Sequence, residues 1–387
     1  MEHVRIGVVG LGTMGTAHLA YFRTLTGGGV GAVCDANRER AAKVGAEFGI
    51  PFYTDYREMI EKGPIDAVLI ATPHFQHPEV TIAALEKGLH VLCEKPMAVT
   101  VGAARTMIDA ARKHPNQTFA LMMNVRTYPM YQKIRSLVHD GDLGGVTRIT
   151  WLMTDWFRTW TYYASGGWRA TWKGEGGGVL LNQCPHNLDL LYWLTGMMPS
   201  RITAVASIAK THPIEVEDEV SAIMEYENGA IGHFITSTGE APGTNYLEIA
   251  GDQGVISARQ GKLQFRRTRQ SVKKLRETSK EMFPVAETWN IDLTYAPQAD
   301  STHKLVTQNF INAITKGEQL IAPGEDGIKG LEIGNAMLMA GLTRTPVDLP
   351  VDPARYDAFL ADMTAKHGGR KSPATSTEGV TATMKYL

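Results

Sequence analysis

Val4-Arg-Ile-Gly-Val-Val9 runs straight into Gly10-Leu-Gly12-Thr13-Met14-Gly15, and the reading of that junction decides the fold. The first six residues are mostly apolar and β-branched, the signature of a buried strand. A strand, a GxGxxG turn and a following helical stretch together form the context in which this motif binds a dinucleotide. Gly10 permits the tight turn, Gly12 lets the backbone approach a pyrophosphate, and Gly15 lets the helix pack close to the strand. Thr13 and Met14 lie on the same loop, where the free N–H groups of the helix start face the phosphates. Asp35 follows a second apolar run, Val30–Cys34. A carboxylate there accepts hydrogen bonds from the ribose hydroxyls and repels a 2′-phosphate, so NAD is expected over NADP. Arg38, close by, softens that preference.

Working outward, short apolar runs at Ile6–Val9, Val30–Cys34, Ala67–Ala71, His90–Cys93 and Phe119–Met123 alternate with the amphipathic stretches His18–Leu25, Arg38–Phe48, Pro78–Lys87 and Ala103–Lys113. This alternation implies βαβ units around a parallel sheet. After Asn124 the rhythm changes. A helix is expected at Pro129–His139, then strands at Arg148–Asp155, Arg201–Ile208, Glu219–Tyr226, Ala230–Thr236, Tyr246–Ala250 and Lys262–Arg267. A helix near Asn187–Leu194 interrupts them, and helices at His303–Ile314 and Ile328–Leu342 follow. The predicted organisation is an α/β Rossmann domain over 1–124, an α+β domain on a mainly antiparallel sheet over 125–365, and a polar tail over 366–387.

Composition excludes several functional classes. The formal net charge of -1 leaves no bulk field to draw in nucleic acid or an acidic membrane. The basic stretch Arg266–Arg276 lacks interleaved aromatics and reads as solvated. The cysteines Cys34, Cys93 and Cys184 form no CxxC pair. No leader-like or membrane-spanning apolar run is present, so a reducing cytoplasmic setting is expected.

Ligands of parallel sheets sit beyond the carboxyl ends of the strands. Thr72, Pro73 and His77 follow the fourth strand and are candidates to line the cofactor. His77 reads equally as a helix-start residue. His74 and His77 have a metal-compatible spacing but no evident carboxylate or thiolate partner, so no metal is expected. The fifth strand runs into Glu94-Lys95-Pro96, where Pro96 restricts the residue before it and directs one ammonium over the sheet end.

These segments, with Gly176-Gly177-Gly178-Val-Leu-Leu-Asn182-Gln-Cys-Pro185-His186-Asn-Leu-Asp189, resemble the glucose–fructose oxidoreductase / inositol dehydrogenase / MocA (Gfo/Idh/MocA) family. The resemblance spans roughly the first 350 residues. It implies an N-terminal Rossmann domain and a C-terminal domain whose open sheet faces a partner subunit in a homodimer or homotetramer. It further implies catalytic roles for Lys95 and His186, with Glu94 at the cofactor. Many members carry aspartate where this chain has Asn182, and asparagine brings no charge to stabilise an imidazolium. It can still orient a hydroxyl or a ring.

The residues support such chemistry directly. If the segment is helical, Asn182, His186 and Asp189 share one face. Alternatively the helix starts near Pro185 and Asn182 caps it. Histidine suits removal of a hydroxyl proton near neutral pH, and Lys95 suits stabilisation of the developing alkoxide. Trp168-Arg169 resembles a family segment approaching cofactor and substrate. Asp155, Trp156, Arg158, Tyr162 and Tyr163 form an aromatic and polar cluster suited to a sugar ring, or alternatively to loop packing. Asn124, Arg126 and His303 are further substrate candidates; Arg126 reads equally as an interdomain salt bridge.

The expected function is NAD-dependent hydride transfer at a ring hydroxyl carbon of a sugar, a glycoside (at C3) or a cyclic polyol. The alternatives are an inositol dehydrogenase, a redox-neutral NAD-dependent glycosidase or lyase, and a non-catalytic dinucleotide sensor.

Overall fold

The computed structural model describes residues 2–369. The opening apolar run forms β1 (Val4–Val9), in which only Arg5 is exposed. Around it lie β2 (Gly28–Cys34), β3 (Phe52–Tyr53), β4 (Ala67–Ile70), β5 (His90–Cys93) and β6 (Phe119–Leu121). The strand order is β3-β2-β1-β4-β5-β6, and every pairing is parallel. This is the doubly wound order, whose direction reverses beside β1 and opens a binding crevice at the carboxyl ends. Helices cover both faces, which explains why the strands read as continuous apolar runs.

The first helix, Thr13–Phe22, starts five residues earlier than the expected His18, because the glycine turn passes directly into it. One cover of this sheet comes from far along the chain. Val306, Phe310 and Ile311 of the helix Thr302–Lys316 pack with Val4, Ile6 and Val8 of β1. Fully burying each such side chain contributes about 1.5–3 kcal/mol, so the late helix is anchored on the first sheet.

The second sheet comprises β7 (Val146–Met153), β8 (Arg201–Ile208), β9 (Glu217–Glu225), β10 (Ile231–Ser237), β11 (Asn245–Gly251), β12 (Gly254–Arg259), β13 (Lys262–Thr268), β14 (Thr288–Leu293) and β15 (Val347–Asp348). Its order is β14-β13-β12-β11-β7-β10-β9-β8-β15. All pairings are antiparallel except β7 with β10. The helices Pro185–Thr195 and Gly327–Thr343 pack on one face, sharing a core with Ile202, Val220 and Phe234. Strand alternation turns Val205, Ile223, Ile231 and Ile235 to the other face, where they are exposed.

Four strands escape the sequence pattern, the two-residue β3 and β15 together with β12 and β14. β12 is short and follows immediately on the Asp252–Gly254 turn, and the edge strand β14 is largely exposed, so pairing with β13 rather than an apolar run defines it. A final helix, Pro353–His367, was also not expected; Asp352 caps its start by accepting from the Arg355 N–H. It takes in Lys366 and His367 of the expected tail, and residues 370–387 lie outside the described residues. No helix among the described residues is long and apolar enough to cross a membrane.

Candidate active site

Gly10 has φ +90°, and a Cβ there would meet the Ala71 carbonyl oxygen at 2.6 Å. A Cβ on Gly15 would lie 1.8 Å from the Gly10 carbonyl oxygen, so the helix abuts the turn. A Cβ on Gly12 would meet nothing within 4 Å, and no side chain caps the helix it begins. The N–H groups of the first turn, at Thr13 and Met14, therefore face room suited to a pyrophosphate. Asp35 is buried at the end of β2, where its carboxylate accepts from the Leu11 and Asn37 N–H groups, each at 2.8 Å. It thereby ties the glycine turn to the ribose side of the crevice. The adjacent cation is Arg40, 3.1 Å from Asp35, rather than the expected Arg38. The next helix starts at Arg38, whose guanidinium lies over the Phe52 ring at 5.6 Å, and Arg40 in its first turn faces back to the strand end. Thr72 Oγ1 is buried beside the turn without a hydrogen-bond partner, and Pro73 is exposed. The residues present thus fit an adenine dinucleotide.

His77 does not face the cofactor crevice as one of its readings held. It is fully buried, with Nδ1 2.8 Å from the Pro96 carbonyl oxygen and Nε2 2.9 Å from that of Thr72. It joins the ends of β4 and β5, and both ring nitrogens are occupied. His74 packs edge-on to Trp168, and among the described residues no group of three or more His, Cys, Asp or Glu is arranged to hold a metal ion.

Lys95, at the end of β5, donates from Nζ to the Asn182 main-chain oxygen at 2.9 Å. This bond joins the first sheet to the segment under the second. Burial lowers the Lys95 pKa, opposed by the charges of Glu94 and Glu175. Glu94 has both carboxylate oxygens engaged within the chain: one meets His18 Nε2 at 2.7 Å and the other accepts from the Lys95 N–H at 3.1 Å. It shapes the lysine's backbone from behind, which corrects its expected place at the cofactor. Burial would raise Glu94, but His18 holds it down at about 2.

His186 stands in the first turn of the helix Pro185–Thr195, and its buried Nδ1 has no hydrogen-bond partner. Burial and the Lys95 charge push its pKa down to about 3. His303 feels the same surroundings, lowered to about 4 chiefly by burial, with Lys95 contributing and Glu94 opposing. Asn124 donates to Thr302 Oγ1 at 2.7 Å and faces His303 Nδ1 at 3.4 Å, leaving its own buried Oδ1 without a partner. Unpaired buried polar atoms are uncommon and costly, and two of them flank this junction.

Asn182 is neither on one helix with His186 nor its cap. It ends a separate short helix, Val179–Asn182, and Cys184 stands at the next helix start. Gly178 makes that approach possible, since a Cβ there would lie 1.9 Å from the Glu217 carbonyl oxygen. The Asn182 amide donates to Glu175 and its Oδ1 accepts from the Tyr162 hydroxyl at 3.4 Å. Asp189, expected on the same face, turns away to Arg126.

The structure brings Trp156, Arg158 and Tyr162 of the aromatic cluster together and sets Tyr163 in the core. Tyr163 is buried, donating to Thr238 Oγ1 at 3.0 Å and packing edge-on to His212, so it is a core residue. Its neighbour Tyr162 reaches the site, accepting from Arg169 at 3.0 Å and Gln183 at 3.2 Å. Arg158 lies over the rings of Trp156 and Tyr162, and Arg169 over those of Tyr162 and Trp168. The charges of both arginines bear on Lys95. Trp156 Nε1 and Arg158 Nε are buried without partners, and half-buried Asp155 is raised by burial. Arg126 is removed from the substrate candidates. It is 1% exposed and binds Asp189 through two bonds, at 2.8 and 2.6 Å, with Asp326 at 2.8 Å.

Sequence reasoning missed Glu175, His18 and Arg40. Glu175 stands immediately before the glycine run, a visible signal; His18 sits inside a helix, where nothing distinguishes it from a core histidine.

Residues 4–122 match the model described as "Oxidoreductase family, NAD-binding Rossmann fold", and residues 131–257 match "GFO/IDH/MocA C-terminal domain". Levoglucosan dehydrogenase of Pseudarthrobacter phenanthrenivorans is 31% identical over 66% of this chain and 73% of its own. The 1,5-anhydro-D-fructose reductase of Ensifer adhaerens is 26% identical over 88% and 96%. The fold matches the WlbA dehydrogenase from Bordetella pertussis in complex with NADH and UDP-GlcNAcA, with a TM-score of 0.75, 23% identity, and coverage of 90% of this chain and 100% of that one. The chain belongs to the Gfo/Idh/MocA family of NAD-binding oxidoreductases.

Proposed function

We propose that this enzyme oxidises a ring secondary hydroxyl of a sugar-like substrate, the glycoside C3 hydroxyl being the finer assignment. The observation that carries the reading is the meeting of Lys95, His186 and Asn182 at the end of β5, beside a buried imidazole nitrogen that lacks a partner. The relatives named for levoglucosan and 1,5-anhydro-D-fructose support a cyclic carbohydrate. The stack of Trp156, Arg158, Tyr162, Arg169 and Trp168 supports a pyranose, pairing aromatic faces with hydroxyl-binding cations.

NAD, when bound, accepts a hydride from the carbinol carbon. The Gly10–Gly15 turn, Asp35 and Thr72 would hold it. Asn182 and His186 orient the reacting hydroxyl through hydrogen bonds. From the sequence, His186 was expected to take the proton. Burial and an adjacent ammonium leave its ring a weak base, while burial disfavours the Lys95 ammonium and so enlarges the share of free amine available to accept a proton. The roles are therefore exchanged: Lys95 accepts the proton, and neutral His186 steers the oxygen. The exposed face carrying Val205, Ile223, Ile231 and Ile235 supports assembly of two or four copies through the second sheet.

The test is a panel of glycosides, free sugars and inositols assayed for NAD reduction, with products identified by NMR. Oxidation of inositols alone would replace the sugar reading, and turnover on tightly bound NAD without net NADH would replace it with a redox-neutral one. Binding of NAD with no turnover of any member would leave a sensor.

A further inference from the structure

The family resemblance places an aspartate where this chain has Asn182, so position 182 itself brings no negative charge beside the histidine and lysine. The charge is present at one remove. Glu175 is 1% exposed, immediately ahead of the glycine run. One carboxylate oxygen accepts from the Ala170 N–H at 2.6 Å, and the other accepts from the Asn182 side-chain amide. We infer that Glu175 is a positioning residue that acts through Asn182, supplying the carboxylate that position 182 itself does not.

Two consequences follow from elementary hydrogen bonding. An ionised carboxylate only accepts, so the NH2 of Asn182 must face Glu175 and its Oδ1 must face the opposite way, toward the Tyr162 hydroxyl. An amide that is otherwise free to flip is thereby held in one orientation. The charge also bears on Lys95, favouring its ammonium in concert with Glu94 and against Arg169 and Arg158. Glu175 is itself faced by Lys95 and Arg169, and it acts on the buried groups Glu217 and Tyr163. Burial raises it to about 7, against the Ala170 and Asn182 bonds, so it changes charge within the working range. A buried carboxyl is costly to keep without partners or purpose.

The inference rests on the oxidoreductase reading, and the test separates the two. E175Q sets an NH2 against the Ala170 N–H or against the Asn182 NH2. The double variant E175Q/N182D reverses the donor and acceptor across the same contact and keeps one carboxylate in the pair. On the best substrate of the panel, E175Q is expected to lose roughly tenfold or more in kcat with NAD affinity nearly unchanged, and the double variant to recover most of it. A second readout needs no substrate: pH-dependent acylation of Lys95 by an amine-reactive reagent, followed by mass spectrometry. Removing the Glu175 charge disfavours the ammonium, so Lys95 is expected to label faster in E175Q and to return toward wild-type rates in the double variant. Wild-type kcat and labelling in E175Q would overturn the inference. So would equal losses in both variants with an unmoved pH profile and unmoved labelling, since that marks a merely structural residue. If E175Q does not fold, N182D decides: a second carboxylate beside Glu175 is expected to slow labelling, and unchanged labelling overturns the proposal. If no panel member reacts with wild type, the sugar reading fails and labelling still decides Glu175.

Discussion

The Lys95 ammonium donates to the main-chain oxygen of Asn182 at 2.9 Å, across 87 residues of sequence. That bond closes the junction between the two sheets, beside the buried His186 imidazole on which the Lys95 charge bears. Lys95→Ala is expected to lower kcat by roughly 100-fold or more while leaving NAD affinity within a few-fold, because the lysine acts on the transition state. Lys95→Arg should not restore the rate, since arginine does not deprotonate. Steady-state kinetics with calorimetric NAD titration checks both. An unchanged kcat would remove Lys95 from the mechanism.

The pH dependence follows from the same surroundings. His186 near 3 and His303 near 4 are neutral throughout the neutral range and contribute no limb there. Lys95 is drawn down by burial, and its basic form is the one that accepts a proton. kcat/KM for oxidation is therefore expected to rise with pH as Lys95 deprotonates, and the reverse reaction to fall. His186→Asn should lower the rate without moving that limb. A limb near the usual histidine value of about 6.5 that vanished in His186→Asn would return the proton to the imidazole.

Asp35 and Arg40 set cofactor choice together. Wild type is expected to bind NAD more tightly than NADP. Asp35→Ala removes the repulsion and frees Arg40 for a 2′-phosphate, shifting the ratio toward NADP by about tenfold or more. Paired calorimetric titrations with the two cofactors read this directly. Tighter NADP binding by wild type would sink the assignment.

Arg126 tests the boundary between site and scaffold. Arg126→Met leaves Asp189 buried without its partner, a loss of about 3–5 kcal/mol for such a pair. Urea denaturation should show that loss, with substrate KM close to wild type in the folded fraction. A raised KM at wild-type stability would restore Arg126 to the substrate site.

Glu94 links stability to acid. Its folded pKa of about 2 lies below the ordinary 4.5, so its contribution is present above about 4.5 and is lost as pH falls toward about 2. At neutral pH, Glu94→Gln should cost roughly 3 kcal/mol at most, and the difference from wild type should shrink through that window. Denaturation curves at neutral and acid pH compare the two, and a pH-independent difference would deny the His18 pairing.

The Rossmann sheet was legible because a buried parallel strand must be apolar on both faces and a phosphate turn must carry glycine where a side chain would collide. Those are local demands, written at Val4–Gly15, and the same holds for Asp35 and for Lys95 at a strand end. The roles that depend on which distant group lies alongside were not legible. Tyr162 and Tyr163 are adjacent in sequence, yet one faces the arginines of the site and the other the core. Arg126 became structural only because Asp189 and Asp326 fold against it, and His77 because two strand-end carbonyls converge on its ring. The amino-acid order by itself determined the dinucleotide fold and the residue types able to move a proton. Burial and long-range partners, which exist only once the chain is folded, decided the surroundings that shift Lys95, His186 and Glu175 from their ordinary ionisation.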